Sequence, residues 1–136
     1  MTVSRLRRSW TLLPLLPVLI LLSGCDNRSP AARSAAAAFE QAWKARDAEA
    51  VCAALAPGTR SELESDEQAA CPEALAGVSL PVGGKARSVN VHGRQARVVL
   101  ASDTLFLSLF PGGWKVVAAG CSPRPDKPYS CELKGA

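Results

Sequence analysis

The chain falls into three stretches when it is read by where its apolar residues recur. Trp10 to Leu22 is an almost unbroken apolar run interrupted by Pro14 and Pro17. From about residue 31 apolar positions recur at helical spacing: Phe39, Ala42, Trp43 and Arg46 stand at i, i+3, i+4 and i+7, and Ala35 extends the stripe backwards. That spacing and the density of Ala, the best helix former, predict a helix over Ala31–Arg46. Phe39 and Trp43 should be its buried anchors, with Glu40 and Lys44 facing water as an i,i+4 pair. Asp47 is placed to cap a short second helix, Ala48–Leu55, ended by Pro57-Gly58. Thr59-Arg60-Ser61-Glu62 fits a capping box for a third helix reaching about Ala69. Glu62, Glu64, Asp66 and Glu67 make that helix a solvated one, and Pro72–Leu75 can add a further turn.

At Val78 the period changes from helical to two. Pro81-Val82-Gly83-Gly84 reads as a turn or linker. Lys85–Val91, Arg94–Ala101, Thr104–Phe110 and Trp114–Ala119 read as strands, separated by His92-Gly93, Ser102-Asp103 and Pro111-Gly112-Gly113. Short strands joined by tight Gly, Asp and Pro turns argue for an antiparallel meander. Gly120 to Ala136 is polar and Pro-rich, and reads as a tail. Helices first and sheet second give an α+β fold: N-terminal helices packed on a curved four-stranded antiparallel meander.

The opening run changes what the composition means. Arg5, Arg7 and Arg8 precede it without an acid, and small residues and a cysteine follow. A basic start, a short apolar core and a small-residue cut make an export signal. Leu22-Ser23-Gly24-Cys25 resembles a bacterial lipobox, which implies a diacylglycerol on Cys25, cleavage before it and a membrane anchor on the extracytoplasmic face. Residues 1–24 would then be removed, residues 25–34 would be the lipidated cysteine and a flexible tether, and 35–136 a single α+β domain. The whole chain holds 16 basic and 12 acidic residues, but losing the three arginines of the leader leaves a formal +1. The basicity therefore gives no case for nucleic acid. Of five cysteines, Cys52, Cys71, Cys121 and Cys131 remain after Cys25 is lipidated. An even set in an oxidising compartment reads as two disulfides; three connectivities are open, and pairing within each segment is expected.

The run Phe39-x-x-x-Trp43, then Lys44-Ala45-Arg46-Asp47-Ala48-Glu49-Ala50-Val51 and Leu55-Ala56-Pro57, resembles the opening helical hairpin of the SnoaL-like (nuclear-transport-factor-like) cone fold. Gly113-Trp114-Lys115-Val116-Val117 resembles its closing strand. The chain thus looks like a small lipoprotein of actinobacterial type with such a domain; the alternative is another helix-plus-meander domain. The resemblance implies a cone mouth, which Phe106, Phe110, Trp114 and Val117 would line.

Catalytic chemistry has little to work with. His92, the single histidine, sits in an expected turn, as does Asp103. The sequence contains no GxSxG, P-loop, dinucleotide fingerprint or HExxH, so no cofactor or metal is expected. Arg87, Arg94 and Arg97 form a candidate basic stripe for a partner on one hairpin. The expected function is a non-enzymatic, membrane-anchored module that binds a small ligand or an envelope protein; a cone-fold hydrolase or isomerase is the alternative.

Overall fold

The computed structural model describes residues 27–135. Four helices precede five strands: α1 (Arg28–Ala45), α2 (Ala48–Ala54), α3 (Pro57–Glu67), α4 (Cys71–Ala74), then β1 (Ala86–His92), β2 (Gln95–Leu100), β3 (Thr104–Phe110), β4 (Gly113–Arg124) and β5 (Lys127–Lys134). A 3-10 turn, Leu75–Gly77, follows α4. The lipobox and Cys25 lie outside the described residues.

Helix α1 begins before the expected Ala31. Residues 28–34, expected as a tether, are its first two turns, and Ala32 there is fully buried. The buried stripe is Ala32, Ala36, Phe39 and Glu40, at i, i+4, i+7 and i+8. Phe39 is the anchor that the pattern predicted. Glu40, expected in water beside Lys44, is buried instead and accepts from the Gly83 N–H at 2.8 Å. An inward partner outcompetes the weak surface pair, whose worth is only a few tenths of a kcal/mol.

Asp47 caps α2 as expected, its Oδ1 accepting from the Ala50 N–H at 3.1 Å. Leu55 and Ala56 are then extended rather than helical. Leu55 bridges Val116 in parallel, and the Ala56 N–H donates to the Val116 carbonyl at 2.8 Å. Pro57 opens α3 at the first helical position, where its missing N–H costs nothing. The capping box expected at Thr59 is therefore not formed. Thr59 lies inside the helix, and its hydroxyl donates to the Val117 carbonyl at 3.0 Å, tying α3 to the sheet.

The sheet runs β1-β2-β3-β4-β5, antiparallel throughout, with five strands where four were expected. Strand β4 continues to Arg124, and most of the expected tail returns as β5. The prolines that argued against a strand sit where they do no harm. Pro123 and Pro125 flank the hairpin end, and Pro128 lies on an edge strand. Cys121 and Cys131 are direct cross-strand partners and form a disulfide, with Cα atoms 4.0 Å apart. Cys52 and Cys71 form the other, tying α2 to α4. Both expected pairings are present.

Cross-strand partners Ala96 and Leu107, and Val98 and Leu105, carry the buried face of the sheet against α1, joined by Val116 opposite Leu107. Register shifts between Ala86 and Ser88, Phe106 and Leu107, and Ser122 and Arg124 bend the strands. Between the turn and β1, residues 78–85 form a strap without regular structure. The Trp43 indole donates to the Leu80 carbonyl at 3.2 Å, and the Gly83 and Lys85 carbonyls accept from Ser102 and Ala101.

Candidate functional site

The strap leaves a cleft where it leans on the helices. Its walls are the end of α1 (Trp43, Lys44, Arg46), the start of α2 (Ala48, Val51), the α4 turn (Pro72, Leu75) and the strap itself (Val78, Leu80, Val82). The volume is about 510 Å³, within the range of small-molecule sites. Each wall has a local reason. Arg46 ends α1 in the left-handed conformation, with its N–H turned back to the Trp43 carbonyl, so the chain reverses at once into α2. The Cys52–Cys71 bridge holds the α4 turn against α2. The Trp43–Leu80 hydrogen bond holds the strap.

The chemistry of this cleft is lopsided. Trp43, Val51, Leu75, Val78 and Leu80 supply apolar surface, while Lys44 and Arg46 supply the only charges among the lining residues, both positive and both exposed. Val82 is 55% exposed and is the one exposed large hydrophobic among the described residues. Asp47, next along the chain, has an oxygen committed to capping α2.

Beneath the strap lie two buried carboxylates. Asp103 accepts from the N–H groups of Thr104, Gly120 and Cys121, at 2.6, 2.9 and 2.9 Å. It was expected to serve a turn, and it also clamps the turn to β4. Glu40 has its pKa raised, first by burial and then by the charge of Asp103, against the pull of the Gly83 and Gly84 N–H groups. Glu40 spends an oxygen on the Gly83 N–H and borders neither cleft described in this subsection. What it does in the fold is hold the strap to α1. The stripe Ala32, Ala36, Phe39, Glu40 was the signal that could have found it.

A smaller cleft of about 260 Å³ lies over β1–β3, between Asn90, His92, Gln95, Arg97 and Phe106. Among the four residues expected to line a cone cavity, Phe106 alone borders either cleft. Its ring meets Tyr129 edge-on at 5.1 Å. Trp114 is buried in the helix-facing core, Val117 sits half-buried in β4, and Phe110 ends β3. The structure does not bring these four together.

All three arginines are exposed on the β1–β2 hairpin. Arg87 stands at the β1 irregularity, the Arg94 guanidinium donates to the Leu109 carbonyl, and Arg97 donates to the Asn90 side chain at 3.3 Å. His92 is exposed at the end of β1. No cluster of three or more potential metal ligands occurs among the described residues. None of their helices is long and apolar enough to cross a membrane.

No family model, curated protein or solved structure matches the chain. The functional reading therefore rests on the cleft and on the chemistry of the sequence.

Proposed function

We propose that the chain is an extracytoplasmic lipoprotein, held to the membrane through Cys25, whose domain binds a small amphipathic anion in the cleft between α1, α2 and the strap. The observation that carries the binding reading is the pairing of apolar walls with two cations, Lys44 and Arg46, and no acid among the lining residues. An apolar body would fill the space between Trp43, Val51, Leu75 and Leu80, and its acidic group would meet the cations at the rim. The lipobox supports the location. Two disulfides suit an oxidising compartment and support it further. A SnoaL-like relationship stays part of this proposal on the strength of the layout, with a helical hairpin first and a bulged meander second. The binding is non-enzymatic in this reading, since both buried carboxylates are engaged by backbone N–H groups.

The test is thermal denaturation of the protein with 2-naphthoate and with the uncharged 2-naphthylmethanol. The acid should raise the melting temperature more than the alcohol. Lys44→Gln with Arg46→Gln should abolish that difference between acid and alcohol. Equal effects of acid and alcohol, or a shift that survives the double variant, would remove the cleft from the reading.

A further inference from the structure

The first described residues lie against one end of the sheet. The Arg28 guanidinium donates to the Gly93 carbonyl at 3.2 Å, so α1 starts beside the β1–β2 hairpin. Cys25 precedes Arg28 by three residues, about 11 Å of fully extended chain at most. Helix α1 continues from there along β1, with Arg33 donating to the Ala86 carbonyl. Any group attached to Cys25 is therefore confined near the hairpin, with no long spacer between them.

That end of the sheet has a consistent chemistry. Gln95 pairs with Ser108, and the Leu109 N–H donates to the Arg94 carbonyl, which puts the β3–β4 turn beside the β1–β2 turn. The two tips present His92, Arg94 and Arg28 together with half-buried Phe110 and exposed Pro111. No acid occurs between Lys85 and Leu100 or between Thr104 and Arg124. Four of the twelve acids, Glu62, Glu64, Asp66 and Glu67, stand on α3, which packs on β4 and β5 at the other edge of the sheet. The paired turns therefore present basic groups with no acid on β1, β2 or β3, although Asp26 stands between Arg28 and Cys25.

We propose that the paired turns Gly93–Arg94 and Pro111–Gly112 rest on anionic lipid headgroups, fixing the domain's orientation on the membrane. This rests on lipidation of Cys25. The anchor supplies one attachment, and the arginines and Phe110 supply a second, weaker one of the kind that basic residues make with an anionic leaflet. The cleft borders the far end of α1 from Arg28. In this orientation it faces away from the lipid and stays open to ligand.

The test is hydrogen exchange on the full lipidated chain in nanodiscs, one set containing phosphatidylglycerol and one of phosphatidylcholine alone. Amides of 92–95, Phe110, Gly112 and Gly113 should exchange roughly tenfold more slowly on the anionic discs. High salt should remove the difference, and α3 should show none. Arg94→Glu with Arg28→Glu should abolish the protection in protein that still sits on the discs. Since Arg28 and Arg94 also bond the fold, Pro111→Glu serves as a second variant with the same expected loss. Equal exchange on both discs, or slowing on α3 instead, would overturn the orientation while the anchor stands. A full chain that fails to join discs at all would overturn the anchor and the orientation with it.

Discussion

Strand β3 and helix α3 are of similar standing in the sequence, one a run of alternating leucines and the other an acidic run with few apolar residues, yet they are held in opposite ways. Strand β3 has a ladder on each side, and Leu105 and Leu107 are almost completely buried. Helix α3 buries Thr59 and Leu63 and has no side-chain cap at its start. What secures α3 comes from outside it. Thr59 reaches the Val117 carbonyl, Glu64 accepts from the Cys71 N–H at 3.0 Å, and the Cys52–Cys71 bridge fixes the residue that follows. The sheet and α1 share the core with single residues of the later helices, such as Val51 and Leu63, and those helices are further fastened by these bonds. The cleft lies among the fastened parts, bounded by α2, the α4 turn and the strap, so its shape depends on a few identifiable tethers.

Four variants sharpen or break this contrast. Leu105→Ala should cost the most, about 2–5 kcal/mol by denaturant unfolding, and should lower the stability of the whole domain. Replacing Cys52 and Cys71 together by Ala removes a bridge of 19 residues' separation, which loop entropy values at about 3 kcal/mol. Hydrogen exchange should show α3 and α4 losing protection before β3 does; uniform loss would contradict the tethering account. Thr59→Val deletes one hydroxyl bond to β4 and should cost about 1 kcal/mol, seen as a lower urea midpoint with an unchanged slope.

The smallest effect is expected at Glu40, and it depends on pH. Burial raises the Glu40 pKa, so the folded chain holds this proton more tightly than the unfolded chain does. Its contribution is full below the ordinary carboxylate range and is lost as pH rises through the raised value. Glu40→Gln can keep the Gly83 hydrogen bond without the charge. The variant's melting temperature, relative to the native chain, should therefore improve from pH 4 to pH 7. A difference that stays flat across that range would mean that the charge costs the fold nothing.

The same contrast marks what was legible beforehand. Alternation made β2 and β3 legible as strands, but not which face is buried: Leu105 and Leu107 face the core, while Phe106 and Phe110, expected to line a cavity, are only half-buried. Asp47 was legible as a cap, since its chemistry is local. The burial of Glu40 was open to the helical stripe of Ala32, Ala36 and Phe39, but its partner was not legible, because Gly83 is 43 residues away. Thr59 was misplaced because Pro57 looked like a stop when it was a start. Strand β5 was hidden by prolines that an edge position tolerates. Among the site residues, the cysteine pairs were legible from spacing. The cleft was not, since it assembles from α1, α2, α4 and an irregular strap.

The proposed cleavage and lipidation at Cys25 connect the compartment of the disulfides with the orientation of the sheet. Intact-mass and peptide mass spectrometry of the protein extracted from membranes tests this directly. The account predicts a mature chain that begins at Cys25 and carries diacylglycerol on its thiol. A chain that retains residues 1–24, or one cut elsewhere with an unmodified Cys25, would contradict it.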